Sequence, residues 1–223
     1  MERGETCMRA FRHALKEQNI LYIFVAVLFL VGVIFGALMV NALSLEQQQD
    51  LGRYLGNFFV TVNQGTEAGQ PAHSYWDIAG LHLKWVGLIW ILGLSVIGLP
   101  GILILDFLKG VLVGFTVGYL VGQFSWHGLL FALVSVAPPN LLIIPVLIIC
   151  SVSAIAFSLH IIKNRVMLQR PGNITRPFAS YVGMTLVMGL LMLGISSFET
   201  WVTPTMMRWV TPMLIHAPAI SGL

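Results

Sequence analysis

Residues 129–162 read LLFALVSVAPPNLLIIPVLIICSVSAIAFSLHII, and the way this run is divided decides the fold. It contains no Asp, Glu, Lys or Arg. As one α-helix its 34 residues would be about 51 Å long, too long for a single crossing of a hydrocarbon core about 30 Å thick. Pro138 and Pro139 stand inside it, and each removes a backbone donor that a continuous helix uses. The run is therefore expected to divide into a full span over 141–162 and a partial segment over 129–137. That segment is either a half-helix or the outer part of a long helix kinked at the prolines. Pro138, Pro139, Asn140 and Pro145 form the structural break. Asn140 is placed to cap the helix that Leu141 begins, satisfying amides that lipid cannot.

The rest of the chain has the same character. It is 57% hydrophobic and 9% charged over 223 residues, with a mean hydropathy of +0.86. Soluble domains carry about 25% charged residues, so an all-α polytopic membrane protein is expected, forming one integral membrane domain over 1–223. The formal charge of +3 is scattered over loops, without the basic stripe and interleaved aromatics of a nucleic-acid surface. Cys7 lies in the polar N-terminus and Cys150 deep in an apolar run, so no disulfide is expected between them. The first apolar run is too long for a signal core and lacks a small-x-small site close behind it, so it reads as an anchor.

Five spans are expected, over 20–40, 84–99, 102–122, 141–162 and 178–198, with an outer amphipathic loop over 41–83. The turn between the second and third falls at Pro100-Gly101, where proline and glycine break helices, or at Asp106 to Lys109; Pro100-Gly101 is the preferred break. Asp106 and Lys109, one turn apart, then form an ion pair or cap near one membrane face. With the N-terminus cytoplasmic and the C-terminus outside, nine basic residues fall inside and only Arg53, Lys84 and Arg208 outside, as the positive-inside bias requires.

Within the loop, Leu51, Tyr54, Leu55, Phe58 and Phe59 recur at three- and four-residue steps, which predicts an amphipathic helix on the outer face. The tail repeats Trp201-Val-Thr-Pro204 as Trp209-Val-Thr-Pro212. These aromatic and apolar residues are interfacial anchors or a surface for an extracytoplasmic partner. Gly110, Gly114, Gly118 and Gly122 lie four apart on one helical stripe, and Gly32 and Gly36 repeat the spacing in the first span. Such stripes let backbones approach closely. The neighbour is another span of the chain or a second copy in a homo-oligomer.

Catalytic patterns are missing: no HExxH, no GxSxG and no pair of carboxylates at membrane depth. No catalytic residue, cofactor or metal is expected. A channel or transporter subunit, with a cavity at the Pro-Pro-Asn break, is the alternative to a non-enzymatic scaffold.

Several stretches carry a family resemblance: LYIFVAVLFLVGVIFGALMVNALS (21–44), WILGLSVIGLPGILILDFLKGVLVGFTVGYLVG (90–122), SVAPPNLLIIP (135–145) and the tail around Glu199 and Thr203-Pro204. They resemble the stage II sporulation protein M family over nearly the whole chain. The wider superfamily's Pro-His-Gly-x-x-Glu-x-Pro pattern is matched at Pro138 and Pro145. Pro139 stands at its His, Asn140 at its Gly and Ile143 at its Glu, which weakens any carry-over of chemistry. The resemblance implies a role in engulfment during endospore formation, at the septum and the engulfing mother-cell membrane. It also implies a scaffold that recruits and anchors two peptidoglycan hydrolases, the amidase/endopeptidase stage II sporulation protein P and the lytic transglycosylase stage II sporulation protein D.

Overall fold

A computed structural model describes the backbone of residues 2–64, 75–95, 98–166, 175–203, 205 and 206. The side chains of residues 2–18, 56, 58–64, 163–166 and 176 fall outside that description. Six helices follow one another: α1 (Glu2–Met39), α2 (Leu45–Gln64), α3 (Tyr75–Gly93), α4 (Gly98–Ser135), α5 (Ala137–Val166) and α6 (Thr175–Trp201). There is no strand among the described residues. Among the described residues, four stretches are long and apolar enough to cross a membrane: Asn19–Ala42, Gly98–Ser135, Ala137–Ile162 and Pro177–Trp201. The protein is thus an all-helical, membrane-embedded chain. Helix α3 lies among these four, but its first half carries Asp77, His82 and Lys84, which lower its hydropathy.

The α3–α4 turn corrects the expected boundary. Helix α3 starts at Tyr75, well before Lys84, and ends at Gly93, so the break precedes Pro100-Gly101. Pro100 falls in the first turn of α4, where a missing N–H costs nothing and the fixed φ suits a helix start. The earlier position is stable because the last carbonyls of α3 find donors on other helices. Tyr181 Oη donates to the Trp90 carbonyl at 3.0 Å. Ser158 Oγ, fully buried, donates to the Gly93 carbonyl at 2.7 Å. A helix end in an apolar setting needs such partners.

The opening stretch is also resolved. Ser125 interrupts α4 with φ 49° and ψ −125°, the one positive φ among described non-glycine residues. There the chain reverses. Phe131 and Ala132 fold back onto Leu120 and Phe124, and a Cβ on Gly128 would overlap the Leu120 carbonyl. A helical hydrogen bond leads up to the Pro-Pro junction, from Val136 N–H to the Ala132 carbonyl at 2.9 Å, and another crosses it, from Asn140 N–H to the Val136 carbonyl at 3.3 Å. The run from Trp126 onward is thus the kinked long helix rather than an isolated half-helix. The proline positions are also corrected: Pro138, Pro139 and Asn140 occupy the first turn of α5, and the sharp break is at Ser125. Asn140 does not cap forward; its Nδ2 donates back to the Val136 carbonyl at 2.8 Å. Pro145 lies inside α5, on its exposed side.

The core joins α3, α4, α5 and α6 around Val86, Ile89, Ile102, Ile143, Leu147, Ala154, Tyr181 and Met192, with Val25 of α1. Phe157 stacks on Tyr181 at 4.7 Å between ring centroids.

Candidate functional site

Three arrangements stand out: a glycine seam, a set of polar contacts inside the bundle, and an aromatic end.

The glycine seam joins α1 to α4. A Cβ on Gly32 or Gly36 would overlap the carbonyl of Phe107 or Val111, and one on Gly110 or Gly114 would overlap that of Phe29 or Val33. At Gly118 the added atom would lie 2.9 Å from the Ala37 Cα. At Gly122 the nearest atom is Val40 Cγ1 at 3.9 Å, an ordinary contact. The neighbour of the stripe is therefore another helix of the same chain, with backbone against backbone over about three turns.

The polar contacts replace the ion pair expected between Asp106 and Lys109. No such pair forms. Asp106 is only 4% exposed, and its Oδ1 accepts from Ser151 Oγ of α5 at 2.8 Å. Its Oδ2 is buried without a hydrogen-bond partner among the described residues. Lys109 Nζ instead lies 5.6 Å from the centre of the Trp85 ring on α3, within range of a cation–π contact, and Glu199 of α6 attracts it electrostatically. Glu199 itself meets buried His82 of α3, Oε2 to Nε2 at 2.8 Å. The pairing follows from helix geometry. With α3 ending at Gly93 and α4 starting at Gly98, His82 and Lys109 stand at similar distances along neighbouring antiparallel helices, and neither can reach the membrane edge nearest that junction. No local pattern in the sequence announces this contact, because His82 and Glu199 are 117 residues apart. No group of three or more His, Cys, Asp or Glu suited to a metal is gathered among the described residues.

The aromatic end is where α3 starts, α4 turns and α6 finishes. Helix α2 opens on a reciprocal cap: Ser44 Oγ accepts from Gln47 N–H at 3.3 Å, and Gln47 Oε1 accepts from Ser44 N–H at 3.0 Å. The helix is held to the bundle by Tyr119 Oη, which donates to the Gln48 carbonyl at 2.8 Å. Leu51 and Leu55 close a cavity of about 330 Å³ with Phe115, Tyr119, Leu120 and Phe131. Tyr54 points away and is 78% exposed. Trp201 at the end of α6 is 70% exposed, and Trp76 and Trp126, not singled out from the sequence, are 74% and 68% exposed. The candidate partner surface thus separates: Leu51 and Leu55 pack inward, while Tyr54 and Trp201 face out. The Phe58 and Phe59 side chains and all of Trp209 lie outside the described residues.

No curated protein and no solved structure matches the chain. The family model of stage II sporulation protein M matches residues 25–204, from the first span through the end of α6 and the start of the tail, and the chain belongs to that family.

Proposed function

We propose that this protein is a non-enzymatic membrane scaffold that holds peptidoglycan hydrolases at the sporulation septum and the engulfing membrane. Membership in the family makes the chain a sporulation-related membrane protein. The observation that carries the finer reading is the aromatic end: Tyr54, Trp76, Trp126 and Trp201 project from a bundle whose helices are fixed by the glycine seam. Large rigid aromatics are favoured anchors at protein interfaces. In this reading five helices span the membrane, α1, α3, α4, α5 and α6, with the N-terminus cytoplasmic. The aromatic end and the C-terminus then face the compartment where stage II sporulation proteins P and D cut the wall. The chemistry belongs to those partners.

Deleting the gene should stall septal thinning, whereas normal engulfment would contradict the reading. Replacing Tyr54 and Trp201 together by Glu should release the hydrolases from the septum while the bundle stays folded; undiminished septal recruitment would remove this surface from the account.

A channel or transporter subunit is the second reading, favoured by buried Asp106, whose Oδ2 lacks a hydrogen-bond partner among the described residues, and by the His82–Glu199 contact. Ionisable groups within a helical bundle are by default candidates for ion or proton handling. Purified protein in liposomes should then conduct protons or a cation, and Asp106→Asn should abolish the flux.

A further inference from the structure

At the end opposite the aromatic side chains, a cavity of about 730 Å³ opens between α1, α5 and α6. Tyr22 enters from the start of the apolar part of α1, His160 from the last turns of α5 and Ser180 from the first turns of α6, while Ser153 lies deeper, near the middle of α5. The Tyr22, Ser153 and Ser180 hydroxyls have no hydrogen-bond partner among the described residues. The deeper wall is mostly apolar, with Met184 and Val187 beside Ser153. Polar mouth and apolar floor thus follow the direction in which a lipid changes from headgroup to acyl chain.

The sequence that links α5 to α6 supplies charge. Residues 163–176 contain Lys163, Arg165, Arg170 and Arg176 and no Asp or Glu. Lys163 is one helical turn beyond His160 on α5, and Arg176 precedes Pro177, a lining residue, in the first turn of α6. On α1, Lys16 and Glu17 offset each other just before the apolar part begins. The positive end of the α6 dipole adds to the same potential.

We propose that this cavity binds the headgroup of an anionic phospholipid, with the phosphodiester at the Tyr22 and Ser180 hydroxyls near the mouth and an acyl chain running past Ser153 along Met184 and Val187. The volume lies in the range of about 300–1,000 Å³ typical of small-ligand sites. Basic pockets between membrane helices on the positively charged side suit acidic headgroups. The proposal does not depend on the scaffold reading.

The test uses the full chain purified in detergent. Thermal unfolding and native mass spectrometry are followed with added phosphatidylglycerol, phosphatidylcholine or inorganic phosphate. Phosphatidylglycerol should be retained and raise Tm, while phosphatidylcholine and phosphate should do neither. Ser153→Leu, which fills the cavity, should abolish retention. Lys163→Gln with Arg176→Gln lies at the helix ends, leaves the core intact and should weaken retention by about tenfold. Equal retention of the two lipids would overturn the proposal, as would unchanged phosphatidylglycerol binding in both variants. Stabilisation by phosphate alone would assign the site to a soluble anion and overturn the lipid.

Discussion

The α1–α4 and α3–α6 interfaces hold the same bundle together by opposite means. Between α1 and α4 the side chains are absent, and backbone meets backbone at Gly32, Gly36, Gly110, Gly114 and Gly118. Between α3 and α6 the contact is made by side chains with polar tips: His82 to Glu199, Tyr181 to the Trp90 carbonyl and Tyr75 to the Leu193 carbonyl. The first kind tolerates no added atom, because a carbonyl cannot move aside without breaking its own helix. The second tolerates changes of shape but not a lost partner, because a buried polar group left alone carries its full desolvation cost.

The comparison is broken most directly at the seam. Gly114→Leu should prevent α1 from docking and abolish the folded protein, read as loss of the monodisperse peak in detergent. Gly114→Ala should still cost about 3 kcal/mol, since even one methyl overlaps the Val33 carbonyl. Gly122→Ala is the control on the same stripe: with 3.9 Å to Val40, it should stay within about 1 kcal/mol of the parent. A similar loss at both positions would show that the stripe acts through helix propensity rather than close approach.

At the polar interface, His82→Ala should cost about 1–3 kcal/mol in denaturant unfolding, because Glu199 loses its partner. Glu199→Gln should cost less, since an amide oxygen can still accept from the imidazole. Equal costs would mean that charge rather than hydrogen bonding holds the pair. The smallest effect is expected at the hairpin. Ser125 adopts φ 49° and ψ −125°, close to the first central position of a type II′ turn, which favours glycine. Ser125→Gly should therefore raise stability by about 1 kcal/mol, and a loss would show that the Ser125 side chain is needed at the turn.

The two interfaces also differ in how far they could be read from the sequence. The glycine stripe is periodic, and period is local information, so Gly110 to Gly122 stood out before any fold was known. The membrane character and the helical elements followed from the long uncharged runs. His82, Glu199 and Ser151 carry no pattern; they become a site only when helices 45 to 117 residues apart are packed together. The end of α3 at Gly93 was missed for a related reason. Pro100-Gly101 is the stronger local breaker, but tertiary hydroxyls from Ser158 and Tyr181 decide where the carbonyls of α3 can end. Likewise the prolines at 138 and 139 drew attention from Ser125, whose positive φ no residue preference announces. Leu51 and Leu55 fitted an amphipathic face, but periodicity alone does not say whether that face meets lipid, a partner or the chain itself.

The central claim is that the end bearing Tyr54, Trp126 and Trp201 holds the wall hydrolases. Photo-crosslinkers placed at these three positions, and at Leu190 and Ser180 as controls along and opposite, test it in sporulating cells. The account predicts capture of stage II sporulation protein P or D from the aromatic end and not from the controls. Capture from the control positions alone, or no hydrolase from any position while the protein sits at the septum, would contradict it.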